Sequence, residues 1–155
     1  MNIYLKKFTD KKFKNPAKAL DLGAGDFKDV LYLRELGWEC EGVDRIGGVD
    51  LEKTFKSENG PYDLVFSNYL LHKLKNKEAL AETAFENLRK GGWLFIHTFE
   101  KSDKISFHGV DIEEIKRILK GPGFIDIEYK IFDVYDEEVG HKHWHKILEV
   151  SAKRP

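Results

Sequence analysis

The sequence predicts a single α/β domain with a mainly parallel sheet, and three observations lead to this fold class. Short apolar runs alternate with stretches of helical period along the 155 residues, which is the order of parallel strands joined by crossover helices. The glycine turn Gly23-Ala24-Gly25 directly follows the first apolar run, as in α/β folds that bind a ligand beyond the strand ends. The last two apolar runs have no helical pattern between them, so they predict a closing antiparallel hairpin.

Composition and charge fit one domain over residues 1–155 and exclude several classes of protein. Hydrophobic residues make up 41% of the chain, which is enough for one packed core. The net charge of −1 does not favour nucleic acid as a partner, because nucleic acid selects for basic domains. Cys40 is the only cysteine, no apolar run reaches the roughly 20 residues of a membrane span, and the start lacks a secretory signal. We therefore expect a cytoplasmic monomer or homodimer with no membrane partner.

The predicted elements follow one another in a regular order. The strands are expected at residues 19–22, 39–44, 62–68, 93–99, about 124–134 and 143–153. The helices are expected at residues 26–36, from a cap at Asn76 to a stop at Gly91-Gly92, and from Asp111 to Gly121-Pro122-Gly123. We interpret the lysine-rich residues 1–16 as an amphipathic packing segment with a solvated basic face. A lid over the site or a polyanion contact is the alternative.

The glycine turn differs from the turn that binds dinucleotides. The G-x-G-x-x-G pattern has Lys28 at its sixth position here, and Asp26 at the helix start would repel a pyrophosphate. S-adenosylmethionine has a sulfonium and an amino group but no phosphate, so carboxylates beside the turn favour it. Asp21 at the strand end can hold the amino group, and Asp44 after the next strand can accept both ribose hydroxyls. Asp50 is a candidate for the adenine amine, or a turn residue beside Gly47-Gly48.

Four short motifs follow one another along the chain: LDLGAG at 20–25, GVD at 42–44, YDLVFSN at 62–68 and LRKGG at 88–92. Together with the terminal hairpin, they resemble the ordered motifs of class I S-adenosylmethionine-dependent methyltransferases. The resemblance runs from about Ala17 to the end, and residues 136–141 before the last strand look most like the small tellurite-resistance type. It implies a Rossmann-like fold with a seven-stranded sheet whose last strand is antiparallel.

The resemblance also implies roles for matching positions. The turn Gly23-Ala24-Gly25 would contact the methionine part of the cofactor. Asp44 would bind the ribose, with Arg45 beside it, and Asp50-Leu51 would border the adenine. Asn68 and Tyr69 would line the pocket near the methyl group.

Two departures from the family pattern change the expected structure. Phe27 replaces the usual third glycine, which predicts a tighter turn or a partly filled pocket. Only eighteen residues separate Asp44 from Asp63, too few for the usual helix and a full strand. We expect the helix to be lost, the third strand to shrink to a few residues around Val49, and the adenine side to be open.

Histidines are expected at the ligand edge of the sheet, because the last strand begins where its parallel neighbours end. His72, His97 and the run His141-Lys142-His143-Trp144-His145 share this edge. One interpretation makes His72, His97 or His143 a general base; another makes them satisfied polar residues. A third makes the cluster a metal site, but the spacing matches no standard zinc pattern, so no metal ligand is assigned.

The function expected from these observations is methyl transfer from S-adenosylmethionine to a small-molecule acceptor. A protein that binds the cofactor without catalysis, as a regulatory or partner subunit, is one alternative, favoured by the altered turn at Asp26-Phe27. An RNA-directed methyltransferase is a second, supported by the N-terminal lysines alone. An NAD-binding protein is a distant further class.

Overall fold

The computed structural model describes residues 2–106, 108–140 and 142–155. Its strands are β1 (Lys18–Leu22), β2 (Glu39–Val43), β3 (Tyr62–Asn68), β4 (Leu88–Phe99), β5 (Ile125–Asp136) and β6 (His143–Lys153). Its helices are α1 (Ile3–Lys12), α2 (Lys28–Glu35), α3 (Lys77–Asn87) and α4 (Ile112–Lys120), with short 3-10 turns at Arg45–Gly47 and Leu71–Lys73. Within the described residues, no helix is long and apolar enough to cross a membrane.

The sheet is mainly parallel and is closed by an antiparallel hairpin, as the sequence predicts. Its strand order is β2-β1-β3-β4-β6-β5. The pairs among β1, β2, β3 and β4 are parallel, whereas β6 runs antiparallel to both β4 and β5. The chain passes from β1 to β2 on one side and then to β3 on the other, so the strand order switches at β1. Ligands of open α/β sheets bind at such a switch, beyond the carboxyl ends of the strands.

Apolar side chains cover both faces of the sheet, which explains the continuous apolar runs of the parallel strands. One face carries Ala19, Leu64 and Phe66 against α1 and α2, and the other carries Leu20 and Val65 against α3 and α4. Alternation along each strand places Asp21, Asn68 and His97 on the α1–α2 face.

The N-terminal segment is an amphipathic helix that packs on the sheet. The side chain of Asn2 caps α1 by accepting the N–H groups of Tyr4 and Leu5. Leu5 and Phe8 are buried in the core of the α1–α2 face, while the last turn carries Lys11 and Lys12. One side of α1 thus packs on the sheet, and the backbone N–H of Asn2 at its start donates to Asp29 in α2.

The predicted strand count and one helix end are wrong. Within the described residues the sheet has six strands rather than seven, because Val49 donates its N–H to Asp44 and closes a turn instead of joining the sheet. The family's usual helix between β2 and β3 was predicted to be lost, and the described chain has no α-helix there. Helix α3 ends at Asn87, before Gly91-Gly92, because β4 already starts at Leu88 and this glycine pair bonds to Arg154 in the sheet.

Candidate cofactor and acceptor site

Glycine occupies the two positions Gly23 and Gly25 of the turn after β1 for different structural reasons. Gly23 has a φ of +88°, and a Cβ atom there would lie 2.7 Å from Cδ2 of Leu70. Gly25 has a φ of +54°, but a Cβ atom there would meet nothing within 4 Å. The N–H groups of Gly23 and Ala24 both donate to the carbonyl of Val43, at 2.9 and 3.0 Å. Gly23 is thus required by packing, while Gly25 exposes backbone to open space at the ligand edge.

Asp44 is hydrogen-bonded to this turn from the end of β2. Its carboxylate accepts the N–H of Gly25 at 3.1 Å and the N–H of Ile46 at 3.3 Å. A carboxylate has about four acceptor positions, and Asp44 is only half-buried, so acceptor capacity remains for two hydroxyl groups. The predicted ligand role and the alternative of a turn-forming acid are therefore compatible in one residue.

The segment expected to border the adenine is exposed at most of its positions. Arg45 and Asp50 are exposed, and Asp50 accepts the N–H of Glu52 in a turn. Leu51 is buried in the core. Ile46, two residues after Asp44, is 93% exposed, and no pattern in the sequence marks this position. This segment presents an apolar side chain to solvent beside the acid expected to bind the ribose.

Asp21 is a buried acid that lacks a full set of partners. Its Oδ1 atom is buried, and among the described residues it finds no hydrogen-bond donor. Burial raises the pKa of Asp21 well above its usual value of 3.8, and the nearby carboxylates of Asp29 and Asp44 raise it further. A cationic ligand with N–H groups would supply both the missing donor and the missing charge.

Asn68 is the second residue with a buried oxygen that finds no donor in the described chain. It ends β3, which lies next to β1 in the sheet. Its Nδ2 donates to Asp29 at 2.9 Å, and Asp29 also accepts the backbone N–H of Asn2 at 2.7 Å. Asp29 therefore links the start of α1 to the end of β3, and sequence reasoning found neither Asp29 nor Asn2.

Tyr69 follows β3 in a left-handed conformation with a φ of 58°, which is strained for a residue with a side chain. Its N–H donates to the carbonyl of His97 at 2.8 Å. Burial raises the pKa of its hydroxyl to about 12, so the phenol stays neutral at physiological pH. Tyr69 is half-buried and lines a hollow together with Asn68 and Asp29.

Phe99 is the ring around which several predicted residues meet. Its ring centre lies 4.7 Å from that of His72, 5.3 Å from that of Tyr69 and 4.6 Å from that of His145. The ring centres of His143 and His145 lie 4.5 Å apart. The predicted approach of these histidines to the ligand edge is therefore present in the fold. His141 lies outside the described residues.

His72 and His97 have different environments. Burial, and then Lys73, lowers the pKa of His72 to about 4, and its Nδ1 lies 3.2 Å from the hydroxyl of Thr98. His97 is fully buried. Its Nδ1 faces Nδ2 of Asn2 at 3.3 Å and its Nε2 faces Glu149 at 3.1 Å.

These contacts decide which nitrogen of His97 carries the proton. The amide of Asn2 is a donor, so Nδ1 accepts and Nε2 donates to Glu149. Both ring nitrogens are occupied by protein groups, which suits an orienting role. His72 is half-buried, and its lowered pKa keeps the ring neutral at physiological pH.

Phe27 has a backbone conformation that favours glycine. Its φ is 61°, in the left-handed region, at a cost of about 1–2 kcal/mol for a residue with a Cβ atom. Its ring packs against Gly42 at the end of β2, where a Cβ atom would lie 2.9 Å from Cε1. The turn therefore passes through the left-handed region at Phe27, although this residue has a side chain.

The family of the chain is decided by its sequence. A sequence model described as a methyltransferase domain matches residues 4–146. The chain belongs to the methyltransferase domain family. No curated protein matches this methyltransferase domain in sequence.

Solved structures share the fold of this methyltransferase domain. Phosphoethanolamine N-methyltransferase 2 of Haemonchus contortus, in complex with phosphomonomethylethanolamine and S-adenosylhomocysteine, aligns with a TM-score of 0.75 and 17% identity over 99% of this chain and 53% of that enzyme. TehB of Haemophilus influenzae aligns with a TM-score of 0.74 and 17% identity over 100% of this chain and 63% of TehB. A methyltransferase of Methanosarcina mazei, dependent on S-adenosylmethionine, gives a TM-score of 0.77 and 13% identity over 95% and 96% of the two chains.

These alignments also show how much of each relative is present. The methyltransferase domain spans about half the length of the Haemonchus enzyme and less than two thirds of TehB. It spans nearly the whole of the Methanosarcina protein. The common part is the α/β sheet with its closing hairpin, as the resemblance implies.

Proposed function

We propose that the chain binds S-adenosylmethionine at the carboxyl ends of β1, β2 and β3 and transfers its methyl group to a small-molecule acceptor. The observation that carries this proposal is the pair of buried oxygens on Asp21 and Asn68 that find no donor in the described chain. Buried acceptors of this kind need a partner. The amino group of the cofactor supplies N–H donors together with a positive charge that favours ionised Asp21.

The rest of the cofactor follows from the neighbouring positions. The open backbone at Gly25 suits close approach of the methionine part. The remaining acceptor capacity of Asp44 suits the two ribose hydroxyls. Ile46, exposed beside it, offers an apolar surface to the adenine ring, and Asp50 remains a candidate for the adenine amine. This donor and acceptor set suits a phosphate-free nucleoside with a positive charge, and suits a dinucleotide poorly.

A hollow beside this position offers room for the acceptor. It has a volume of about 350 Å³ and is lined in part by Asn2, Tyr4, Asp29, Asn68 and Tyr69. Pockets for small molecules begin at about 300 Å³, so the acceptor we propose is small. The Haemonchus neighbour was crystallised with the small molecule phosphomonomethylethanolamine, which supports the same class of acceptor.

The chain contributes mainly alignment to this reaction. When bound, the cofactor supplies a methyl group that the sulfonium charge already activates. Asn68 and Tyr69, held rigidly at the end of β3, orient the acceptor beside it, and such positioning alone contributes several kcal/mol to catalysis. An acceptor that must lose a proton also needs a base, and His72 is our first candidate. His143 is the second candidate, and His97 fits an orienting role better.

A calorimetric titration followed by a transfer assay tests the proposal. We expect the chain to bind S-adenosylmethionine and S-adenosylhomocysteine but not NAD. We then expect transfer of a labelled methyl group to members of a panel of small amines, thiols and hydroxy compounds. Absence of binding to both adenosyl ligands would overturn the cofactor assignment. Binding without transfer would favour the regulatory alternative, and transfer to RNA alone would overturn the small-molecule acceptor.

A further inference from the structure

We propose that Asp136, His143 and His145 form a binding site for one divalent transition-metal ion such as Zn²⁺. A ligand atom from each of these three side chains lies within 4.8 Å of those of the other two. All three are half-buried at the end of the β5–β6 hairpin. Small side-chain rotations bring such atoms to the roughly 2.0–2.2 Å that zinc bonds require. The site does not depend on the proposed methyl transfer, but a metal bound to His143 would exclude that ring as the base and leave His72 as the candidate.

The convergence of the three ligands follows from the strand register. Asp136 and His143 are direct cross-strand partners in the antiparallel pair of β5 and β6, so their side chains leave the sheet on the same face. His145 stands two residues after His143 on β6 and therefore shares that face. The two imidazole rings lie 4.5 Å apart between centres.

Asp103 gives independent support, because it orients His145. Its carboxylate lies 3.3 Å from Nδ1 of His145, and its side chain is only 1% exposed. This leaves Nε2 as the nitrogen that we assign to the metal. Histidine ligands of metals nearly always donate their other N–H to a carboxylate or carbonyl, which fixes the ring and raises its basicity.

The Asp103 carboxylate is fixed in place by three backbone N–H groups, those of Ser106, Lys146 and Ile105. These N–H groups hold the carboxylate oxygens at 2.6, 2.5 and 3.0 Å. The loop that follows β4 thus holds the Asp103 carboxylate in a fixed position beside His145.

The donor set selects the class of metal. Two imidazoles and one carboxylate suit zinc, cobalt, nickel and copper, whereas Mg²⁺ and Ca²⁺ prefer oxygen ligands alone. Lys146, next to His145 on β6, pairs with Asp133 at 3.0 Å, so its charge is partly compensated. Three protein ligands leave a fourth position for water or a ligand atom.

The sequence could not show this set. The linear spacing of His143 and His145 matches no zinc motif, because the third ligand comes from the opposite strand and the orienting carboxylate from a loop 42 residues earlier. The hairpin register brings Asp136 to the two histidines, and the loop after β4 brings Asp103 to His145.

Cobalt spectroscopy tests the site directly. The metal-free full chain, purified without a polyhistidine tag, is titrated with Co²⁺, and the visible d–d absorption is recorded. We expect one equivalent to bind with the spectrum of a four- or five-coordinate ion, and Zn²⁺ but not Mg²⁺ to displace it. His143→Gln and His145→Gln should each weaken binding at least about tenfold, whereas the matched control His108→Gln, at an exposed loop position, should leave it unchanged.

Two further variants separate a metal site from a folding effect. Asp136→Asn, at an edge strand, should fold normally by circular dichroism yet lose Co²⁺ affinity. Asp103→Asn should weaken Co²⁺ binding in the unmodified background but add nothing in the His145→Gln background, because it acts through that ring. S-adenosylhomocysteine affinity should be the same in all these variants, so failure of the metal site and failure of the cofactor site are distinguishable. Absence of stoichiometric Co²⁺ binding, or loss in His108→Gln equal to that in His143→Gln, would overturn the proposal.

Discussion

The backbone N–H of Gly25 donates to Oδ2 of Asp44 at 3.1 Å, so the glycine turn after β1 and the acid after β2 form one hydrogen-bonded unit. This contact spans the first switch in strand order. It positions the open backbone of the turn and the carboxylate expected to bind the ribose relative to each other before any ligand arrives. The site is thus preorganised by the same residues that are proposed to bind the cofactor.

Gly25→Ala should weaken cofactor binding through the Cβ atom that it adds. The position has a positive φ and opens to free space, so we expect a loss of about 1 kcal/mol in stability from backbone strain and a fall in S-adenosylhomocysteine affinity. Gly140→Ala is the matched control, because Gly140 also has a positive φ and open space but lies in the β5–β6 turn. Calorimetry and thermal unfolding check both. An equal loss of affinity in the two variants would contradict the assignment.

Asp21→Asn should stabilise the free protein while weakening cofactor binding. The folded-state pKa of Asp21 is raised above its usual 3.8, so the stability that the protonated acid provides is complete below that pH and is lost as pH rises through the raised pKa. Asparagine avoids this loss, and we expect a gain of about 1–2 kcal/mol at neutral pH. The difference in unfolding temperature between the two proteins should grow from acidic to neutral pH.

The same acid makes cofactor affinity depend on pH. A cationic ligand favours ionised Asp21, so affinity should increase as pH rises through the raised pKa, with proton release on binding. Titrations in two buffers of different ionisation enthalpy measure this release. The proton release should disappear in the Asp21→Asn variant. If that variant releases as many protons as the unmodified protein, the proton comes from another group.

Ile46→Ser should weaken binding without affecting folding. Ile46 is 93% exposed, so its removal costs the fold almost nothing, whereas loss of an apolar contact to adenine should reduce affinity about threefold to tenfold. Val139→Ser is the control, since Val139 is 99% exposed in the hairpin turn. If both variants bind like the unmodified protein, adenine does not lie on Ile46.

His72→Ala should lower turnover and leave cofactor affinity nearly intact. A general base contributes on the order of 10²- to 10⁴-fold, and the pKa of His72 is about 4. With His72 as base, turnover of the unmodified protein should stay constant above about pH 5 and fall as the ring becomes protonated near pH 4. His108→Ala serves as the control. A fall in turnover centred near pH 6.5 would point to another base. Full turnover in the Ala variants of His72, His97 and His143 would exclude all three as the base.

The fold class was accessible from the sequence because it depends on local periodicity and on strand direction. The alternation of apolar runs and helices, and the hairpin after Gly123, are local patterns. The prediction of a strand near Val49 was wrong, because the N–H of Val49 bonds to the carbonyl of Asp44 only five residues away and closes a turn. An apolar residue such as Val49 gives no sign of a turn in the sequence. The predicted end of α3 was wrong because Gly91 and Gly92 form hydrogen bonds with Arg154, which lies at the far end of the chain.

The site was accessible in part for similar reasons. Asp21, Asp44 and Asn68 end predicted strands, and parallel strands end at one edge, so their approach follows from topology. Asn2 and Asp29 meet only because α1 packs beside α2, a contact across 27 residues. Asp136 joins His143 only through the register of the hairpin. Such pairings depend on tertiary packing and leave no linear pattern.

The most direct test of the cofactor site is the affinity of the chain for S-adenosylmethionine before and after Asp44→Ala. Removal of the ribose acceptor should reduce affinity on the order of 10- to 100-fold. Asp111→Ala, which removes another capping carboxylate at the start of α4, should leave it unchanged. Equal affinity of the Asp44→Ala variant and the unmodified protein, or no binding by either, would contradict the account.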